Sequence, residues 1–151
     1  MAGTVLTYDP EQIQVIVGGT LVGGFAEDEF VEVERDVDSY TKYVGCGGEV
    51  ARILNANRSG RVTLRLMQSS PSNDELSLLE ELGEIAVLAG VGVGIGAVPL
   101  LIRDRGGSTL FTAVFCWPKR FPKVIWKKEV EVREWVLDTS TLYGFVGGTS
   151  S

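Results

Sequence analysis

Histidine is absent from this 151-residue chain. That excludes Ser-His and Cys-His nucleophiles, imidazole general bases and every histidine-bearing metal site. Cysteine is scarce: Cys46 and Cys116 stand far apart, in no CxxC pairing. A zinc site and a redox dithiol are excluded, no disulfide framework is expected, and two reduced thiols in a protein assembled in cytosol are expected instead. Residues 1–10 carry neither a basic nor an apolar signal region, so no secretory leader is expected. Positive charge is also in deficit. Fourteen Lys and Arg against 20 Asp and Glu leave a net charge of −6, which argues against tight nucleic-acid binding over the whole surface.

What is present suits one ordinary domain. Hydrophobic residues make up 44% and charged residues 23%, enough to bury a core without metal or disulfide. Period-two alternation dominates. Ile13, Val15 and Val17 alternate with Gln12, Gln14 and Ile16 and stop at Gly18-Gly19, a strand leading into a glycine turn, with a short partner over 21–25. Val31 and Val33 alternate with Glu32, Glu34 and Asp36, and Val62, Leu64 and Leu66 with Thr63 and Arg65. Between these two strands, residues 37–60 are polar and glycine-bearing, too long for a plain hairpin loop, and read as a protruding ribbon or functional loop.

One helix is expected, capped by Ser72, Asn73 or Asp74, with a stripe of Leu76, Leu79 and Leu82 beside Leu78, and a stop at Gly83. Strands follow at 98–103 and 110–117, joined by a turn at 104–108. A final antiparallel pair is expected at 129–137 and 141–146, with a bulge or change of face at Arg133-Glu134. The tail, 147–151, should be loose. Many strands, one helix and no βαβ rhythm give a mainly β single domain, a barrel or sandwich with one flanking helix.

The motifs that could carry chemistry are weak. Gly92-Val93-Gly94-Ile95-Gly96-Ala97 matches GxGxxA, but Pro99 and an extended run follow where a helix N-terminus is needed. Residues 85–102 form an uncharged, mostly apolar run at the lower edge of a membrane span, yet their alternate glycines suit a buried connector better. Asp36 with Asp38, and Asp9 with Glu11, lack calcium-loop spacing and read as solvated strand faces. Trp117, Trp126 and Trp135 could form a sugar platform, although core or interface is the commoner fate of large residues on strands. No enzyme signal survives, and no cofactor or metal is expected.

Charge is unevenly spread. Glu27, Asp28, Glu29, Glu32, Glu34, Asp36 and Asp38 crowd one stretch, and Lys119, Arg120, Lys123, Lys127 and Lys128 another. Solvated faces of a monomer are one reading. The other is a head-to-tail contact in which the acidic edge of one copy meets the basic edge of the next.

The order of several short segments then resembles the tail tube proteins of contractile-tailed bacteriophages. Tyr8-Asp9-Pro10 comes first, then Val15-Ile16-Val17-Gly18-Gly19 and Gly24-Phe25-Ala26. Val33-Glu34-Arg35-Asp36, Tyr40-Thr41-Lys42, Arg58-Ser59-Gly60, Leu66-Met67-Gln68 and Ser72-Asn73-Asp74 follow. Pro99-Leu100-Leu101-Ile102, Arg103-Asp104, Thr109-Leu110-Phe111, Arg133-Glu134-Trp135 and Phe145-Val146-Gly147-Gly148 complete the series, while 90–96 departs from it.

The resemblance implies a structural virion protein, made in the host cytoplasm, whose six-copy rings stack head-to-tail into an inner tube. A sheath protein surrounds the tube, tape-measure, baseplate and terminator proteins meet it, and double-stranded DNA passes through. Four strands from each of six copies would enclose a backbone circle about 48 Å across, which side chains narrow to roughly 40 Å. Glu32 and Glu34 become candidates for the lumen wall. Tyr40, Lys42, Arg52, Asn55 and Arg58 become candidates for a ring-stacking ribbon, and the two charge clusters for subunit contacts. The tube of a related bacterial injection machine is the alternative within this architecture. From other classes, a carbohydrate-binding sandwich and a protein anchored by a span at 85–102 remain.

Overall fold

A computed structural model describes residues 12–27, 29–90 and 96–148. Asp9, Glu11, Asp28, most of the GxGxxA motif and the end of the tail lie outside these residues. Among the described residues the chain forms ten strands and one helix. They are β1 (Ile13–Val17), β2 (Thr20–Val22), β3 (Val31–Arg35), β4 (Tyr40–Val44), β5 (Val50–Leu54), β6 (Gly60–Met67), α1 (Ser72–Leu88), β7 (Val98–Asp104), β8 (Leu110–Pro118), β9 (Val132–Thr139) and β10 (Leu142–Phe145).

One eight-stranded antiparallel sheet runs β2-β1-β7-β8-β9-β6-β3, with β10 added on β8, and β4-β5 form a separate hairpin. The sheet curls without closing. Its seam is held where the chain leaving β2 touches β6, by the bridge Phe25–Leu66 and by hydrogen bonds from Ala26 N–H to Arg65 O (2.9 Å) and Met67 N–H to Gly24 O (2.8 Å). The alternation read from the sequence fills the interior: Val15, Val17, Val62, Leu64, Leu66, Leu100, Ile102, Leu137 and Leu142 are buried together with Trp135 and Cys116.

Helix α1 departs from expectation at both ends. Its N-cap is Pro71, with no side-chain capping bond. Ser72 Oγ accepts from Gly23 N–H (3.0 Å) instead, and Asn73 Nδ2 donates to Met67 O (3.0 Å) and Ser70 O (3.1 Å) while its Oδ1 accepts from the Trp135 indole (2.9 Å). These side chains tie the helix start to the chain after β2, to β6 and to β9, so they are not available as caps. Gly83 does not stop the helix, which runs on to Leu88. The backbone of Gly96 lies against Gly83; a Cβ on Gly96 would sit 2.6 Å from the Gly83 Cα, so glycine here serves close packing of the returning chain. The helix ends where Gly90 takes a φ of +69°.

The last two strands also differ. β9 and β10 do not pair with each other. Both lie along one side of β8, β10 against its first half (Leu142 opposite Ala113) and β9 against its end (Thr139 opposite Cys116). Nor does the alternation slip at Arg133-Glu134: β9 keeps unbroken register with β6 from Gly60–Thr139 to Met67–Val132, and Arg133 is buried on the core face. The irregularity falls in β7-β8, between Val98 and Leu100. Residues 85–102 form no continuous span. They are divided among the helix end, the undescribed 91–95 and strand β7, and among the described residues no helix is long and apolar enough to cross a membrane.

Candidate functional site

The outward face of β3-β6-β9 is a ladder of charge. Because Val31 and Val33 pack on the core, Glu32 and Glu34 point away from it. Cross-strand register aligns Glu34, Arg61 and Asp138 in one row, Glu32, Thr63 and Val136 in the next, and Arg65 with Glu134 in a third. Arg61 engages Glu34 and reaches Asp36 at 3.6 Å; Arg65 lies 3.1 Å from Glu32 and 3.4 Å from Glu134. The hydrogen bond from Arg65 holds the Glu32 carboxyl below its usual range, with a further one involving Glu29. Its small contribution to stability is therefore present above the ordinary glutamate range and fades as pH falls through the lowered value. Two arginines face four carboxylates in these rows, so the face remains negative by two charges.

The other outward face is different. Across β2-β1-β7-β8-β10, register aligns Leu21, Ile16, Leu101, Thr112 and Tyr143, with Gln14, Arg103, Leu110 and Phe145 beside them. Leu21 is 58% and Phe145 63% exposed. The outer edges of β2, β3 and β10 pair with no strand among the described residues.

The β4-β5 hairpin stands clear of the core, with every strand residue exposed. Tyr40 faces Leu54, Lys42 faces Arg52 and Val44 faces Val50 on one side; Thr41 with Ile53 and Tyr43 with Ala51 occupy the other. Arg52 covers the Tyr40 ring at 4.2 Å. Lys42 directly opposite Arg52 is a repulsive pair with no acid beside it on the strands. Tyr40, Lys42 and Arg52 are thus brought together, whereas Asn55 and Arg58 stand at the root. Asn55 N–H donates to Ser39 O (2.8 Å), and Arg58 stacks on Tyr143 of β10 at 4.9 Å.

The charge clusters are both at the surface. Glu27, Glu29, Asp36 and Asp38 are exposed, as are Lys119, Arg120, Lys123, Lys127 and Lys128 on the irregular segment after β8. Part of each is satisfied internally, by Arg61 and Arg65 on the acidic side and by a Lys127–Glu131 pair on the basic side. The tryptophans form no platform: Trp135 is core, while Trp126 is 79% exposed. Among the described residues no cluster of three or more metal-ligating side chains forms.

The family of the chain follows from comparison. The family model described as Bacteriophage PhiTE tail tube protein matches residues 13–147, from β1 to beyond β10. The chain belongs to this tail tube family. Structural protein ORF10 of Pseudomonas phage KPP10 is 34% identical over 150 residues, covering 95% of this chain and 84% of that protein. A phage tail tube protein is a structural part of the virion, which places this chain there too. Among solved structures, the tube fold matches the sheath/tube terminator of an extracellular contractile injection system, PVC, in its extended state (TM-score 0.58, 14% identity, 95% of this chain, 100% of that one). It also matches the tube-terminating cap of the anti-feeding prophage (0.56, 12%, 99% and 96%) and the PVC sheath-tube complex (0.55, 15%, 92% and 91%).

Burial pushes the Cys116 thiol up to about 12, whereas Cys46 is exposed at the tip of the tube protein's hairpin. A maleimide at neutral pH should therefore label the subunit once, at Cys46, as counted by intact mass. Protection of Cys46 in assembled material would report that the hairpin tip is covered; unchanged labelling would show it free.

Proposed function

We propose that six copies of this chain close into a ring, and that rings stack head-to-tail into the inner tube of a contractile phage tail, a non-enzymatic conduit for double-stranded DNA. The observation that carries the reading is the hairpin. Tyr43 (62% exposed), Val50 (66%) and Leu54 (67%) stand on an arm that packs on no other element among the described residues. A lone two-stranded hairpin is marginal in water, and six large apolar side chains on it gain on the order of 5–10 kcal/mol by burial against a neighbour, before the entropy of association. The free edges of β2, β3 and β10 then become joints between subunits, the usual remedy for exposed edges. The mixed apolar face meets neighbours, and the charged β3-β6-β9 face lines the lumen.

Head-to-tail charge matching sets the register: the acidic stretch 27–38 of one copy meets the basic stretch 119–128 of the next, with tape-measure, baseplate, terminator and sheath proteins at the ends and outside. A related injection machine would share this architecture; the phage family and the KPP10 relative support the phage reading. Sedimentation and negative-stain imaging test it. Purified protein should form tubes that shorten as salt rises, because exposed charges are screened within about 8–10 Å at physiological ionic strength and closer above it. Lys119→Glu with Lys128→Glu should impair assembly at low salt. Assembly indifferent to both would remove charge matching and leave apolar burial to hold the rings.

A further inference from the structure

Arg133 is the one charged residue in the buried set of the described chain, at 7% exposure, and its Nη1 reaches no hydrogen-bond acceptor. A guanidinium taken out of water without an anion is costly, and an apolar side chain of similar length in its place would cost less. The residue lies at the mouth of the core. Phe121, from the segment after β8, sits edge-on to Trp135 at 6.2 Å, and a cleft of about 630 Å³ opens between that segment and β9.

The cleft is electrostatically incomplete. Arg120, Lys123 and Arg133 line it, and none of the three makes an ion pair among the described residues. Its two carboxylates are already engaged elsewhere, Glu131 with Lys127 and Glu134 with Arg65. The opposite situation holds on the acidic stretch, where Glu27 and Asp38 are exposed and make no ion pair among the described residues. Resting on the tube reading above, we infer that this cleft is a socket for a carboxylate side chain of a second copy of the chain, delivered by Glu27 or Asp38, with Arg133 as the buried anchor and Arg120 and Lys123 as its rim. A subunit that folds around an unmatched cation is held below its attainable stability until the neighbour supplies the anion. The socket thus rewards correct docking more than approximate contact.

Arg133→Met separates the two effects. The isolated variant subunit should melt about 2–5 °C higher than wild type, since an unpaired buried charge is gone. Its critical concentration for tube assembly should rise about tenfold or more, since one side of a desolvated charge pair is missing. Asp38→Asn or Glu27→Gln, whichever removes the carboxylate that enters the socket, should impair wild-type assembly but add little in the Arg133→Met background. On the wild-type subunit alone, low-millimolar sulfate at matched ionic strength should raise the melting temperature saturably relative to chloride, beyond the general stabilisation sulfate gives any folded protein. This last measurement needs no assembly, so it stays informative if the tube reading fails or the variant does not fold. Wild-type assembly by Arg133→Met, additive carboxylate effects, no sulfate shift, or a free anion occupying the cleft in finished tubes would each overturn the inference.

Discussion

Removal of residues 40–55, with a short glycine linker closing the gap, is expected to leave a folded monomer that forms no tubes. No buried core residue lies in this segment. The strands on either side are held independently of it: β3 pairs with β6 from Val31–Leu64 to Arg35–Gly60, Asp36 N–H donates to Ser59 O at 3.1 Å, and the Ser59 hydroxyl donates to Asp36 at 2.8 Å. The melting temperature should therefore move by only a few degrees, whereas assembly should be lost altogether because the exposed apolar side chains of the arm, Tyr43, Val50 and Leu54 among them, are removed with it. Circular dichroism and sedimentation read the two quantities separately. Tubes of normal length from the deletion variant would show that the hairpin does not stack rings, and loss of the fold would show that it belongs to the core unit.

Glu32→Lys combined with Glu34→Lys is expected to turn a DNA-repelling wall into a DNA-retaining one. The β3-β6-β9 face would change from two net negative charges to two net positive ones in every copy. Each substitution also places an ammonium beside Arg65 or Arg61. Exposed pairs of this kind contribute little, so the subunit should be weakened without unfolding. In the native wall fixed carboxylates repel phosphate, and no counterion release favours sticking. In the variant, isolated tubes should hold duplex DNA at low salt and release it as salt rises, and virions should eject more slowly. Nuclease protection and salt elution measure this. Unaltered DNA retention by intact variant tubes would place both carboxylates away from the channel.

Much of this molecule was legible in residue order. Alternation such as Val62-Thr63-Leu64-Arg65-Leu66 states which side chains enter the core and which stay wet, because strand geometry allows no third choice. The divide between acidic and basic stretches was equally plain. Other features depend on chain segments that meet only after folding. Nothing local to Leu142 says that its partner is Ala113 across β8 and not the end of β9; the shared flank of β8 is a property of the whole sheet. Gly83 resembles a helix stop until Gly96 is seen packed upon it. Arg133 looks like a break in the apolar pattern, and only strict register with Leu66 shows it on the core face. Polar side chains at the helix start look like caps because capping is the common use of Ser, Asn and Asp there; in this chain Asn73 is committed to Trp135.

If this fold closes into rings, β3, β6 and β9 wall the channel they enclose. A cryo-EM reconstruction of tubes grown from the purified chain tests it most directly. Stacked rings of six copies are expected, each hairpin seated on a neighbouring copy, with Glu32 and Glu34 facing an axial channel wide enough for duplex DNA. Tubes with these two residues on the outer wall, or a protein that remains monomeric at high concentration and low salt, would contradict it.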